Sequence, residues 1–231
     1  MMPRTPEPEL MDEVEQVQAY AYADFEAPHA QFIELLGQRL GPARPHGRAL
    51  DLGCGPGDIT YRFAQQRPRW SVEAIDGAST MIAWAKQDPR FTSAAGQIDF
   101  VCARLPTWKP VESRFDLVFS NSLVHHLFDP LDLWRAVQEC AAPDAKVFVM
   151  DLKRPKGPRA LQTLVETYAG DVPAILKRDF EASLHAAYRI EEIVEQLEAT
   201  RLAHLTVEEV SDRHWIAHGT VHPPSSTVSS A

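Results

Sequence analysis

The chain has 231 residues, 45% hydrophobic and 24% charged. This is ordinary for a soluble globular protein and long enough for one α/β domain with modest additions. A formal net charge of −9 repels phosphate backbones and weighs against a nucleic-acid substrate. The three cysteines, Cys54, Cys102 and Cys140, lie far apart. They argue against a disulfide framework or a zinc site and fit a reducing cytoplasm.

The N-terminus has no apolar core of a secretory signal, and no apolar run approaches the ~20 residues that span a bilayer. Residues 1–8 are proline-rich and expected to be mobile. Over 9–40, Leu10, Met11, Val14 and Val17 and then Phe32, Ile33, Leu35, Leu36 and Leu40 recur at helical spacing, predicting two helices. Tyr20, Tyr22 and Phe25 between them are either a lid or core packing. A buried strand at 48–52 runs into Gly53, Gly55 and Gly57. Asp58 is placed to cap a helix over 59–66. A strand at 70–76 ends in an acid, and Ser79 caps a helix over 80–87. Strands at 98–102 and 115–120, a helix at 131–140 and a strand at 146–152 follow. Three helical runs, 158–169, 173–187 and 190–200, precede two closing strands at 205–210 and 214–218.

Strands alternating with helices predict an α/β fold. The expected architecture is a doubly wound, mostly parallel seven-stranded sheet, with an N-terminal helical cap at 1–45 and a main domain at 46–222. That domain carries a helical insert at 153–188 after the fifth strand. A tail at 223–231 is low in complexity and expected to be disordered.

A strand, a glycine-rich turn and a helix are what an open α/β sheet uses to hold a nucleotide-like cofactor. The spacing Gly53-x-Gly55-x-Gly57 is not the Gly-x-Gly-x-x-Gly of a dinucleotide site, which opposes a nicotinamide reductase. No Lys-Ser/Thr pair follows it, so it is not a phosphate loop. An ordinary strand–helix turn is the plain alternative, and three alternate glycines beside strand-terminal acids argue against it.

Four motifs in order then resemble the class I S-adenosylmethionine-dependent methyltransferases. They are Asp51-Leu52-Gly53-Cys54-Gly55-Pro56-Gly57, Asp76-Gly77-Ala78-Ser79-Thr80-Met81, the run Phe115 to Leu127 with its Ser120-Asn121-Ser122 and His125-His126, and Ala142 to Asp151. The resemblance covers residues 46–152 firmly. It implies that Asp51, Gly53, Cys54, Gly55, Gly57 and Asp58 surround the methionine part of S-adenosylmethionine. Asp76 would take the ribose hydroxyls, with Gly77 and Met81 bracketing the adenine. The family often carries an acid after the third strand, but here Ala103-Arg104-Leu105 stands instead, so backbone or Arg104 would hold the adenine. Pro143-Asp144-Ala145 replaces the usual Pro-Gly-Gly.

Ser120, Asn121 and Ser122 would line the transfer zone, and Tyr20 would reach the cofactor from the cap. His125 or His126 could take a proton from the acceptor, or could simply be packing. Lys153, Arg154, Lys156, Arg159, Lys177 and Arg178 in the insert could hold an acidic small molecule or form a solvated face. Asp12, Glu13 and Glu15 read as a solvated helix face. The implied activity is methyl transfer to a small-molecule acceptor through O, N, S or C, with no metal, nucleic-acid or membrane partner. A cofactor-binding regulatory protein without turnover is the alternative.

Overall fold

The computed structural model describes residues 2–8, 10–41, 44–94, 96–110 and 114–221. The expected tail at 223–231 lies outside them. The first strand, β1 (Gly47–Leu52), is flanked by β2 (Trp70–Asp76) and β4 (Phe115–Asn121), both parallel to it. Covered on both faces, it sends alternate residues into different cores. Leu50 and Leu52 pack into one with Trp134, Val137 and Leu197. Ala49 faces the other, among Phe32, Phe63, Phe119 and Phe148. Asp51 shares the Ala49 face and accepts a hydrogen bond from Thr60 Oγ1 of α3 (Asp58–Gln66) at 2.5 Å.

The chain continues through α4 (Ser79–Gln87), β3 (Ile98–Cys102), α5 (Leu131–Cys140) and β5 (Ala141–Leu152). Next come α6 (Pro158–Ala169), α7 (Ala174–Ala186) and α8 (Ile190–Ala199), and finally β6 (Thr206–Glu209) and β7 (His214–Thr220). Strand order is β3-β2-β1-β4-β5-β7-β6. The chain winds outward from β1 to β3 and restarts at β4 on the other side of β1. This opens a crevice at the carboxyl ends of β1 and β4. The sheet is mixed, because β7 runs antiparallel to both β5 and β6. No helix among the described residues is long and apolar enough to cross a membrane.

Several local expectations change. β5 starts at Ala141, and its register with β4 jumps between Phe115↔Ala141 and Leu117↔Lys146. The slack holds Asp144 at φ 60°, where the family's glycines would sit. Residues 10–13 are not helical; α1 spans Val14–Tyr22 and α2 spans Glu26–Leu40. Asp12 is not merely solvated, since it accepts the Thr80 N–H at 3.0 Å and so supplies a donor partner to the start of α4.

The largest departure is at residues 2–8, expected to be mobile. This segment is fastened along the end of α7. Thr5 N–H donates to the His185 carbonyl at 3.0 Å, and Arg4 Nε donates to the Ala186 carbonyl at 2.6 Å. Arg4 also lies 4.2 Å from the Tyr188 ring centroid, a cation–π contact. Met2 packs against the Leu152, Leu161 and Leu164 cluster of the insert. The proline content that suggested mobility instead suits an extended strap whose polar groups bond to a neighbouring helix end.

Candidate active site

The crevice widens into a cavity of about 700 Å³, within the ~300–1,000 Å³ usual for small-molecule sites. One wall is the glycine turn. Gly53 and Cys54 both donate their N–H to the Ile75 carbonyl, at 2.8 and 3.0 Å, tying the turn to β2. Gly55 sits at φ +53°. Its N–H donates to Asp76 Oδ2 at 2.9 Å, and Ala78 N–H donates to Asp76 Oδ1 at 2.8 Å. The Asp76 carboxylate is thereby aimed into the cavity with lone pairs to spare on each oxygen. Burial raises its pKa above the ordinary value and the two N–H groups oppose this.

Burial, helped by the Asp76 charge and opposed by Thr60, pushes the Asp51 carboxyl up to about 7. Burial and the charges of Asp76 and Asp58 push Tyr20 up to about 12, so it stays a phenol. This end of the cavity is thus acidic: Asp24, Asp51, Asp58 and Asp76 all line it.

Of the residues expected at the site, Tyr20, Asp51, Gly53, Cys54, Gly55, Asp58, Asp76, Gly77, Met81, Ala103, Arg104, Leu105, Asn121, Ser122, His125 and His126 line the cavity. Gly57 and Ser120 do not. Gly57 caps α3 at φ +87°, and a Cβ there would stand 2.8 Å from Phe91 and 2.9 Å from Phe100. Ser120 is fully buried and donates Oγ–H to the Leu52 carbonyl at 2.7 Å. Both support the wall from behind.

Asp58 is not the helix cap. Its carboxylate joins His29 (2.7 Å), Arg62 (2.6 Å) and Arg90 (2.6 Å), clamping α2, α3 and the 3₁₀ turn Pro89–Ala94 together. Burial alone would raise its pKa, but these three partners hold it well below the usual carboxylate range. The basic insert also fails to reach the cavity. Among the described residues, none of Lys153, Arg154, Lys156, Arg159, Lys177 and Arg178 lines it. Lys153 pairs with Glu209, Arg154 with Glu192, and Arg178 with Asp179. The insert contributes Tyr168, Leu176, Phe180 and Ser183 instead.

The opposite wall follows β4. Ser122 takes φ 55°, unusual for a residue with a Cβ, and donates its N–H to the Met150 carbonyl at 2.9 Å. This turns the chain into the 3₁₀ segment Val124–His126. His125 is buried, with its Nδ1–H donated to Asp151 at the end of β5. Burial disfavours charge on His125, but Asp151 and Glu7 outweigh it and raise its pKa. Burial and the neighbouring His125 push His126 down to about 3. Asp151 and Glu7 are absent from the residues expected at the site. Asp151 had one available signal: like Asp51 it lies one residue before the end of a central strand, and Asp76 ends its own. Glu7 had none.

Fold and site define an α/β protein with a small-molecule site at the switch point of its sheet. Residues 49–143 match the family model described as a methyltransferase domain. The trans-aconitate 2-methyltransferase of Streptomyces avermitilis is 31% identical over 112 residues, 48% of this chain and 41% of that protein. The Escherichia coli protein of the same description is 37% identical over 84 residues, 36% of this chain and 31% of that one. The chain therefore spans less than half the length of the curated relatives it matches.

Among solved structures, the plantazolicin methyltransferase BpumL, in complex with a pentazolic desmethylPZN analog and SAH, aligns with a TM-score of 0.68 at 12% identity. The alignment covers 91% of this chain and 92% of that one. Phosphoethanolamine N-methyltransferase 2 of Haemonchus contortus aligns at 0.64 with 16% identity, covering 90% and 57%. At such identities the likeness is one of fold. Taken with the family match, it marks residues 49–143 as similar to a methyltransferase domain.

Proposed function

We propose that the protein transfers a methyl group from S-adenosylmethionine to a small-molecule acceptor. The observation that carries this reading is the Asp76 carboxylate, held by Gly55 and Ala78 at the mouth of the crevice. The cofactor supplies an electrophilic methyl on a cationic sulfur.

The residues present fit it. Asp76 has acceptor lone pairs for two ribose hydroxyls, and Gly77 and Met81 stand beside it for the adenine. The carboxyl groups of Asp51 and Asp58 line the amino-acid end, and backbone around Gly53–Gly55 leaves room there. Ala103, Arg104 and Leu105 line the cavity where the adenine amino group would meet backbone. Asn121 and Ser122 lead to the transfer zone, covered by Tyr20 of α1 and by α7. Helices α1, α2, α6 and α7 form the acceptor cover, corresponding to the cap and insert divisions of the chain.

Positioning and exclusion of water do most of what in-line methyl transfer requires. Burial holds His126 uncharged, with its pKa near 3, which makes it a weak base. Asp151 and Glu7 raise the pKa of His125. Both histidines stand at the acceptor end of the cavity.

The test is incubation of the purified chain with S-adenosylmethionine and fractionated cell metabolites. Release of S-adenosylhomocysteine with a product heavier by one methylene unit supports the reading. Tight cofactor binding with no fraction giving product would favour a binding protein. NADH binding with no response to S-adenosylmethionine would overturn both.

A further inference from the structure

Glu7 meets His125 and His126, two residues that line the acceptor end of the cavity. Glu7 Oε1 lies 3.2 Å from His126 Nδ1 and 3.5 Å from His125 Nε2. One donor atom from each of the three residues falls within 4.8 Å of the others. Yet Glu7 Oε1 and His126 Nδ1 are both buried and make no hydrogen bond among the described residues. A buried carboxylate oxygen facing an imidazole nitrogen without a hydrogen bond is a costly arrangement, and a cation between them removes the cost.

The spacing suits one. Ligand atoms about 2.1 Å from an ion, at octahedral or tetrahedral angles, stand roughly 3.0–3.4 Å apart. The two distances from Glu7 Oε1 fall at or just above that range.

The surroundings are also those of a metal centre. Asp151 holds His125 Nδ1–H from behind, fixing the tautomer that presents the Nε2 lone pair toward Glu7. Asp151 is itself held by the Leu152 N–H at 2.6 Å. The second carboxylate oxygen of Glu7 accepts from Ser183 Oγ at 3.3 Å. Arg4 fastens the strap to both sides of the cluster, donating Nε–H to the Ala186 carbonyl and Nη2–H to the His125 carbonyl. His125 and His126 line the cavity and Glu7 does not, so an ion held here would have its open positions on the histidine side.

We propose that Glu7, His125 and His126 hold a divalent first-row transition-metal ion whose open positions receive an oxygen, nitrogen or sulfur atom of the acceptor. Two histidines and one carboxylate suit iron(II), zinc or cobalt(II) better than magnesium or calcium. The ion site stands on its own geometry; its role toward the acceptor rests on the methyltransferase reading. It also adds a divalent cation to a lining that already holds Arg104 and Arg213, which favours a chelating acceptor.

The test uses the untagged full chain, stripped with chelator and titrated with cobalt(II) and with zinc. Cobalt(II) reports ligand geometry through its visible absorption. The expected result is one ion per chain. Its affinity should drop at least ~10-fold in Glu7→Gln and in His126→Gln, the scale known for groups one step further from a metal. Glu7→Gln is isosteric and serves if the histidine variant does not fold. Absence of stoichiometric binding, or binding of unchanged affinity in Glu7→Gln, overturns the site. Calorimetry with S-adenosylhomocysteine on the same samples keeps the two readings apart. Cofactor binding without ion binding defeats only the metal centre. Ion binding without cofactor binding defeats only the methyltransferase reading.

Discussion

The two ends of the cavity are built in different ways. The end assigned to the cofactor is mostly backbone: a glycine turn, the ends of β1 and β2, and Asp76 clamped by two N–H groups. Its glycine turn and its two strand-end acids fall in one 26-residue stretch, from Asp51 to Asp76. The end assigned to the acceptor is mostly side chain. It joins Glu7 of the strap, two histidines after β4, Asp151 of β5 and Ser183 of α7. A backbone wall can be shared across a fold whose members take many acceptors; a side-chain wall drawn from distant segments can be rebuilt for each. The family match, residues 49–143, spans the glycine turn, Asp76 and the two histidines but not Glu7, Asp151 or Ser183.

The contrast can be broken by mutation. The largest effect is expected at Asp76→Ala, which removes the carboxylate offered to the cofactor. Loss of charged hydrogen bonds of this kind costs about 1.5–3 kcal/mol, so calorimetry should show affinity for S-adenosylhomocysteine falling roughly 10- to 150-fold. An unchanged affinity would strip Asp76 of its role. Next is Arg4→Ala, which releases the strap from the Ala186 and His125 carbonyls. Turnover should fall several-fold while cofactor affinity stays within about twofold, because no cofactor-side contact is lost. If both fall together, the two ends are not separable.

A smaller effect is expected from pH. Folded Asp51 keeps its proton up to about pH 7, whereas an unfolded aspartate releases it near ~4. Between these values the folded state binds more protons. The stability tied to that proton is complete below ~4 and is lost as pH rises through about 7. Relative to Asp51→Asn, the melting temperature of the native chain should therefore decline from pH 5 to pH 8. A constant gap would mean that Asp51 is already ionised in the fold at pH 5. Smallest is Ser120→Ala, which deletes one buried hydrogen bond to Leu52. It should lower stability by about 1 kcal/mol in denaturant and leave cofactor affinity alone; weaker cofactor binding would return Ser120 to the site.

Legibility in the sequence follows the same division. Local patterns located β2 and β3 to the residue and α3 and α4 within one, because strand alternation and helix starts are short-range signals. Asp76 was legible as an acid ending a strand next to glycine. Membership in a motif does not say which residues face the ligand, so Gly57 and Ser120 were placed at the site although they buttress it. Charge counting is equally blind to direction. The six basic residues of the insert are visible in the sequence, but the pairing of three of them, Lys153, Arg154 and Arg178, with Glu209, Glu192 and Asp179 is not. Glu7 was hidden because its setting depends on His125, His126 and Ser183, none of them near it in the chain.

The strap has a consequence for how the molecule comes together. Arg4 and its carbonyl partner at Ala186 are 182 residues apart, so the strap must wait for α7 before it can dock. Contacts of such separation carry a large closure entropy and do not favour early formation. The sheet and its glycine turn can therefore be complete while the acceptor end is still open. In refolding followed by hydrogen exchange, the amide of Thr5 should gain protection after those of β1 and β4, making the strap the final piece to lock.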